Sequence, residues 1–231
     1  MSLFIESSAT SDGTTYTFTK LGTTSIVLAI IAILLISCAL LGKKTKITSR
    51  QLAFTSLTLA LAFLASFIKL FQMPMGGSVT LFSMFFITLI GYWYGLSVGI
   101  TAGISFGLLQ LIINPYILCL PQVITDYILA FGSLGLSGIF SKSKNGLLKG
   151  YVVGVFGRFF FAVLSGVIFF GNYSSFLGMS NSLLYSIIYN GSYLFAEMIL
   201  TIIFLLASNY NKNFNMGISY ITKLATNRAY H

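Results

Sequence analysis

The chain has 231 residues, 56% of them hydrophobic and only 7% charged, with a formal net charge of +9. A water-soluble fold of this length needs a far more charged surface, so the composition excludes one. The basic excess does not mark a nucleic-acid binder, because Lys and Arg fall in the short segments between apolar runs, where the positive-inside rule puts them. The runs are continuous over ~20 residues, a helix-span length. That excludes the alternating strands of an outer-membrane barrel. The expectation is an all-α integral membrane protein.

Residues 1–20 are rich in Ser and Thr and carry Glu6 and Asp12. They lack the basic start of a signal peptide and read as an exposed polar tail. Leu21–Gly42 is a first, uncharged span, followed at once by Lys43, Lys44, Lys46 and Arg50. This basic cluster places the loop inside the cell and the N-terminus outside. Further spans then alternate in direction: Leu52–Phe71, Val79–Trp93, Leu96–Ile113, Pro121–Phe140, Leu148–Phe170 and Ser182–Ala207. The loop with Lys142, Lys144 and Lys149 and the end with Lys212, Lys223 and Arg228 both fall inside on this count. The expectation is seven spans with the N-terminus out and the C-terminus in. The chain divides into a tail (1–20), an extra helix with its basic loop (21–50), a six-helix bundle (51–207) and a basic cytoplasmic tail (208–231). Gly95, Gly99, Gly103 and Gly107 recur every four residues, a spacing that lets a neighbouring helix approach closely.

Asp126 is one of four acidic residues in the chain and lies inside an apolar span. A carboxylate there costs roughly 2.5–3.5 kcal/mol, and such a residue normally faces a bundle interior or a water-filled cavity. It sits about 8 Å below the outer end of its helix. Gln122 lies one turn above it and Tyr116 in the loop before it. Tyr185 and Asn190 fall in the outer half of the last span, and Phe169, Phe170 and Tyr173 end the span before it. Pro74, Gly76 and Gly77 break the chain on the same side. An acid, amides and aromatic rings converging at one end suit a small polar or cationic ligand. The structural alternative is that Asp126 pairs with Arg158. Arg158 and Glu197 both lie roughly 15 Å from the inner side and are expected to form a structural ion pair, direct or through water. Two small-xxx-small pairs mark Leu52–Phe71, namely Ser56 with Ala60 and Ala62 with Ser66. Each can seat another helix, from this chain or from a foreign subunit. The two cysteines stand apart and the single histidine is the last residue, so neither a metal site nor histidine catalysis is expected.

Several segments carry a family resemblance. They are MPMGGSVTLFSM (73–84), YGLSVGITAGISFGLLQLIINPY (94–116), QVITDYILAFGSLGLSGIF (122–140), GRFFFAVLSGVIFFGNY (157–173) and YSIIYNG (185–191). Over about Gln51–Ala207 the chain resembles the thiamine-binding S-components, the substrate-binding membrane subunits of energy-coupling-factor (ECF) vitamin transporters. The resemblance implies a six-helix bundle, here preceded by one extra helix, in the plasma membrane of a prokaryote. It implies an outer pocket for thiamine or a closely related compound, with a thiamine precursor or a different vitamin as the alternative ligand, gated by the loop of Met73, Pro74, Gly76 and Gly77. It implies no enzymatic activity and no cofactor of the chain's own; a transmembrane coupling subunit and two ATP-binding cassette ATPases would use the ATP. The family's pocket carboxylate and the tyrosine after it fall on Asp126 and Tyr127. Its loop tyrosine falls on Tyr116, and the tyrosine and asparagine of its last helix fall on Tyr185 and Asn190. Its stacking tryptophan falls on Phe169 and its pocket histidine near Phe161; the acid is usually glutamate. Its coupling-subunit contact falls on Ser56 and Ala60.

Two other classes compete. An autonomous proton-coupled transporter could use Asp126 or the Arg158–Glu197 pair, but the chain lacks the duplicated, broken halves such folds show. A membrane enzyme would need a catalytic constellation, and none stands within the spans.

Overall fold

A computed structural model describes residues 5–10, 13–19, 21, 25, 48–170, 181–210 and 212–226. The expected first span, its basic cluster at 43–46, and Tyr173 lie outside the described residues, save for two single positions in that span. Ile5–Thr10 (β1) and Gly13–Phe18 (β2) pair as an antiparallel hairpin, Ile5 opposite Phe18. The segment expected as an irregular tail is thus a ribbon. Its Asp12–Gly13 dipeptide, followed by the Thr-, Tyr- and Phe-bearing run 14–18, is a hairpin signal in the sequence.

Helix α1 (Ser49–Phe67) opens with Thr48, whose hydroxyl accepts from the Gln51 amide at 3.2 Å. It lies at the edge of the bundle. Thr58, Ala62, Ala65 and Ser66 face inward and are buried, whereas Ser56 and Ala60 are exposed. The two small-residue pairs therefore separate: Ala62 and Ser66 pack within the chain, Ser56 and Ala60 do not. The helix stops at Phe67, short of the expected Phe71, because Lys69–Gln72 (β3) pairs with Ser78–Thr80 (β4). A short 3-10 turn, Pro74–Gly76, closes this ribbon. Gly76 adopts φ +97°, a conformation that glycine reaches without strain.

Helix α2 (Ser83–Tyr94) has 12 residues, ten of them buried. At ~1.5 Å per residue it is shorter than a bilayer core of ~30 Å. It is the bundle's central column, with Met84, Ile87 and Ile90 fully enclosed. The expected span Val79–Trp93 began too early, since its first residues belong to β4 and Phe82 breaks the run with φ 63°. Helix α3 (Leu96–Ile113) keeps its expected bounds. Leu120–Phe140 (α4) is continuous but irregular: a π-helical stretch at Ile124–Leu129 and a 3-10 stretch at Ser133–Phe140 interrupt the α form. Glycines of α3 press directly on its backbone. A Cβ at Gly107 would lie 1.8 Å from the Tyr127 carbonyl oxygen, and one at Gly103 2.3 Å from that of Phe131. Helices α5 (Gly146–Phe169) and α6 (Ser182–Tyr210) complete the bundle.

The expected C-terminal tail instead holds a further helix, α7 (Lys212–Thr226). The Trp93 indole N–H donates to the Thr222 hydroxyl at 3.2 Å, and the Tyr94 hydroxyl donates to the Ala225 carbonyl at 3.1 Å. Thr222 and Ala225 thus face the bundle, while Met216, Tyr220, Ile221 and Leu224 point away from it.

Candidate functional site

One cavity of about 160 Å³ opens between the β3–β4 ribbon and helices α3 to α6. The charge pattern assigns this end to the outside. Six of the expected residues meet here: Tyr116, Gln122, Asp126, Tyr127, Tyr185 and Asn190 all line it. Gly76 and Gly77 of the expected gating loop close its mouth. Met73 and Pro74 contact α6 rather than the cavity.

Asp126 lies on the π-helical stretch of α4, an irregularity that often accompanies functional sites. Its described partner is Gln122, whose side-chain amide donates to Oδ2 at 2.6 Å and to the Tyr116 carbonyl at 3.2 Å. Gln122 Oε1 accepts in turn from the Leu118 amide, so the glutamine is fixed from both sides. Tyr127 anchors the same loop: its hydroxyl accepts from the Tyr116 amide at 3.0 Å and donates to the Asn114 carbonyl at 3.2 Å. Helix α4 and the 114–118 loop thus hold the carboxylate in one orientation, with the Ser165 hydroxyl beside it.

Arg158 does not form an ion pair with this carboxylate. Its guanidinium lies over the Phe131 ring, 4.0 Å from the centroid, a cation–π arrangement. It lines the cavity as well, as does Lys69. Nor does Arg158 pair with Glu197, as equal depth suggested. The Glu197 carboxylate accepts from the Thr80 amide and hydroxyl and the Met84 amide, and the Ser83 hydroxyl backs the Thr80 hydroxyl at 2.6 Å. Among the described residues no ion pair joins the two. Depth along a span fixes height but not the direction a side chain takes around the helix, and the nearby donors satisfy this acid completely.

The aromatic wall also differs by one residue from expectation. Phe170, not Phe169, lines the cavity, and its ring stacks on Tyr116 with centroids 5.6 Å apart. Across the cavity, Tyr185, Tyr189 and Tyr193 follow one another at four-residue intervals on one face of α6. Tyr185 and Tyr189 stack at 5.7 Å. The Tyr189 hydroxyl donates to the Pro74 carbonyl and accepts from the Gly77 amide, fastening the loop to α6. Gly77 is required there, since a Cβ would sit 2.8 Å from the Tyr193 ring. The Asn190 amide donates to the Ala162 and Ser186 carbonyls, and its oxygen accepts from the Tyr193 hydroxyl at 2.8 Å. One lone pair of that oxygen remains for a ligand. Sequence reasoning missed Tyr189 and Tyr193, although their spacing from Tyr185 was a helical-face signal.

Aromatic rings on two walls, a carboxylate and an amide between them, and a glycine-bearing loop over the mouth make a site for a flat, polar, cation-bearing molecule. The model of the "Thiamine transporter protein" family matches residues 52–215. The thiamine transporter ThiT of Bacillus subtilis (strain 168) is 34% identical over 148 residues, covering 58% of this chain and 76% of that protein. The solved structure of ThiT from Listeria monocytogenes aligns with a TM-score of 0.56 at 28% identity, over 69% of this chain and 95% of that one.

Proposed function

Because the chain belongs to the thiamine transporter family, a family of multi-pass membrane proteins of the prokaryotic plasma membrane, we propose that it is the substrate-capture subunit of an ECF-type importer. It takes thiamine from outside and delivers it through a coupling subunit and ATPases. The bundle stands with the cavity outward and the basic loops inward. The observation that carries the reading is Asp126, buried in a cavity between aromatic walls, held by Gln122 and not by Arg158. The thiazolium cation lies against this carboxylate. Phe170 and Tyr116 stack on one heterocycle, the α6 tyrosines flank the other, and Asn190 hydrogen-bonds the pyrimidine. Calorimetric titration of the purified protein with thiamine tests the reading; absence of binding heat, with no protection against thermal unfolding, would sink it.

Two variants separate the aromatic positions. Phe170→Ala weakens thiamine binding about tenfold, the ~1.4 kcal/mol at the upper end of an aromatic pair. Phe169→Ala leaves the affinity at the parent value. The reverse order would restore the expected assignment.

Arg158 and Lys69 at the cavity support a second ligand form. Their two positive charges suit a phosphate ester of thiamine, with the ester reaching away from Asp126. Competition between thiamine and thiamine monophosphate for the same sites distinguishes the preferred form.

The exposed small face of α1 at Ser56 and Ala60 is where the coupling subunit docks. Ala60→Leu there abolishes co-purification of the partner subunits and leaves thiamine affinity intact. Retained assembly would move the docking surface elsewhere.

A further inference from the structure

Glu197 is buried in the middle of α6, 2% exposed, and lines no part of the thiamine cavity. A carboxylate in such a place is costly unless its lone pairs are used. Here they are. Oε2 accepts from the Thr80 amide at 3.1 Å and the Thr80 hydroxyl at 2.7 Å. Oε1 accepts from the Met84 amide at 3.1 Å, while the Ser83 hydroxyl, 3.4 Å from Oε1, donates to the Thr80 hydroxyl oxygen at 2.6 Å. All three donors, with the Ser83 hydroxyl behind them, lie at the joint where β4 passes into α2. That joint is the base of the loop covering the cavity. The tip of the loop is held eight residues earlier on the same helix, where Tyr189 engages Pro74 and Gly77. Helix α6 therefore grips the loop at two points about 12 Å apart along its axis.

We propose that Glu197 is a positioning residue for ligand capture: by pinning the β4–α2 joint to α6, it sets the base on which the Gly76–Gly77 loop closes over the cavity. The need for a carboxylate follows from the donor count. A glutamine has one acceptor oxygen in place of two. Its NH2 would face either the Thr80 amide or the Met84 amide, donor against donor. The joint then loses at least one backbone bond, and β4 is freed at its α2 end, three residues from Gly77. The functional half of this inference rests on the thiamine reading above; the structural half does not.

The test uses the full chain in lipid nanodiscs and has two arms. The first is hydrogen exchange of the loop amides without ligand. In Glu197→Gln, exchange rises about tenfold at Gly77 as well as at Thr80 and Met84, because loosening the base opens the tip. The second is the rate of thiamine dissociation, which rises about tenfold in the same variant. Thr80→Val, which removes only the hydroxyl donor, moves both in the same direction by about threefold and guards against a variant that fails to fold. Faster exchange confined to Thr80 and Met84, with dissociation unchanged, would mean that Glu197 only stabilises its own corner, and the proposal falls. A parent protein that does not bind thiamine removes the reading of the cavity; the Gly77 arm then still decides whether Glu197 governs the loop.

Discussion

Asp126→Asn lowers the affinity for thiamine about 100-fold and does not lower the unfolding temperature of the ligand-free protein. The size follows from removing one partner of a buried charge pair, ~3 kcal/mol or more, with ~1.4 kcal/mol for each tenfold. Asparagine keeps the shape and an acceptor oxygen for the Gln122 amide, so the wall stays in place. What disappears is the negative charge. The cation would then meet only Arg158 and Lys69, both positive, at the cavity. Without ligand the balance is opposite. No ion pair joins the carboxylate to Arg158, whose guanidinium rests on Phe131, so its neutral replacement relieves a desolvated charge. Calorimetry and thermal unfolding of the two proteins check both halves. Equal affinity would take the carboxylate out of the site.

Gly107→Val prevents stable folding or costs about 3 kcal/mol or more, at the severe end of overpacking. The first added carbon alone would stand 1.8 Å from the Tyr127 carbonyl oxygen and 2.9 Å from Phe131 Cβ. Backbone cannot swing aside as a side-chain tip does, so α3 and α4 must separate. The segment pushed away is Ile124–Leu129, which carries Asp126. Any folded fraction therefore also loses thiamine affinity. Gly217→Ala on α7 is the control: nothing lies within 4 Å of its added carbon, and its unfolding temperature stays at or above the parent value. A Gly107→Val protein as stable as the parent would mean that the two backbones do not touch.

The sequence carried the helical membrane class, and the course of α3, because long apolar runs and glycine periodicity are properties of composition and spacing. The convergence of Gln122, Asp126, Tyr185 and Asn190 was legible for a related reason: polar groups in oil must find one another or a cavity; Tyr127 came only from the family resemblance. What was not legible depended on direction. Arg158 and Glu197 share a depth, yet one lies over Phe131 and the other beneath Thr80. Phe169 and Phe170 differ by one residue, which is about 100° around a helix. The β3–β4 ribbon was hidden because Leu70, Phe71 and Val79 are as apolar as a span, and hydropathy does not distinguish a strand from a helix. Helix α7 was read as a tail because its apolar residues are spaced among Asn, Ser, Thr and Lys, with no long apolar run.

Trp93 is the chain's single tryptophan, and it sits at the end of α2 remote from the cavity, about 15 Å along that helix from Ser83. Stacking of a guest on the cavity walls therefore has no indole to quench. Because five tyrosines line the cavity, any report of binding must be read from indole emission alone, excited at wavelengths that tyrosine does not absorb; a change there comes from the far end of α2, where the indole leans on Thr222. The molecule thus carries its own optical gauge of whether filling the site is felt on the cytoplasmic side. A silent spectrum beside a clear heat of binding would say that capture stays local until a partner arrives.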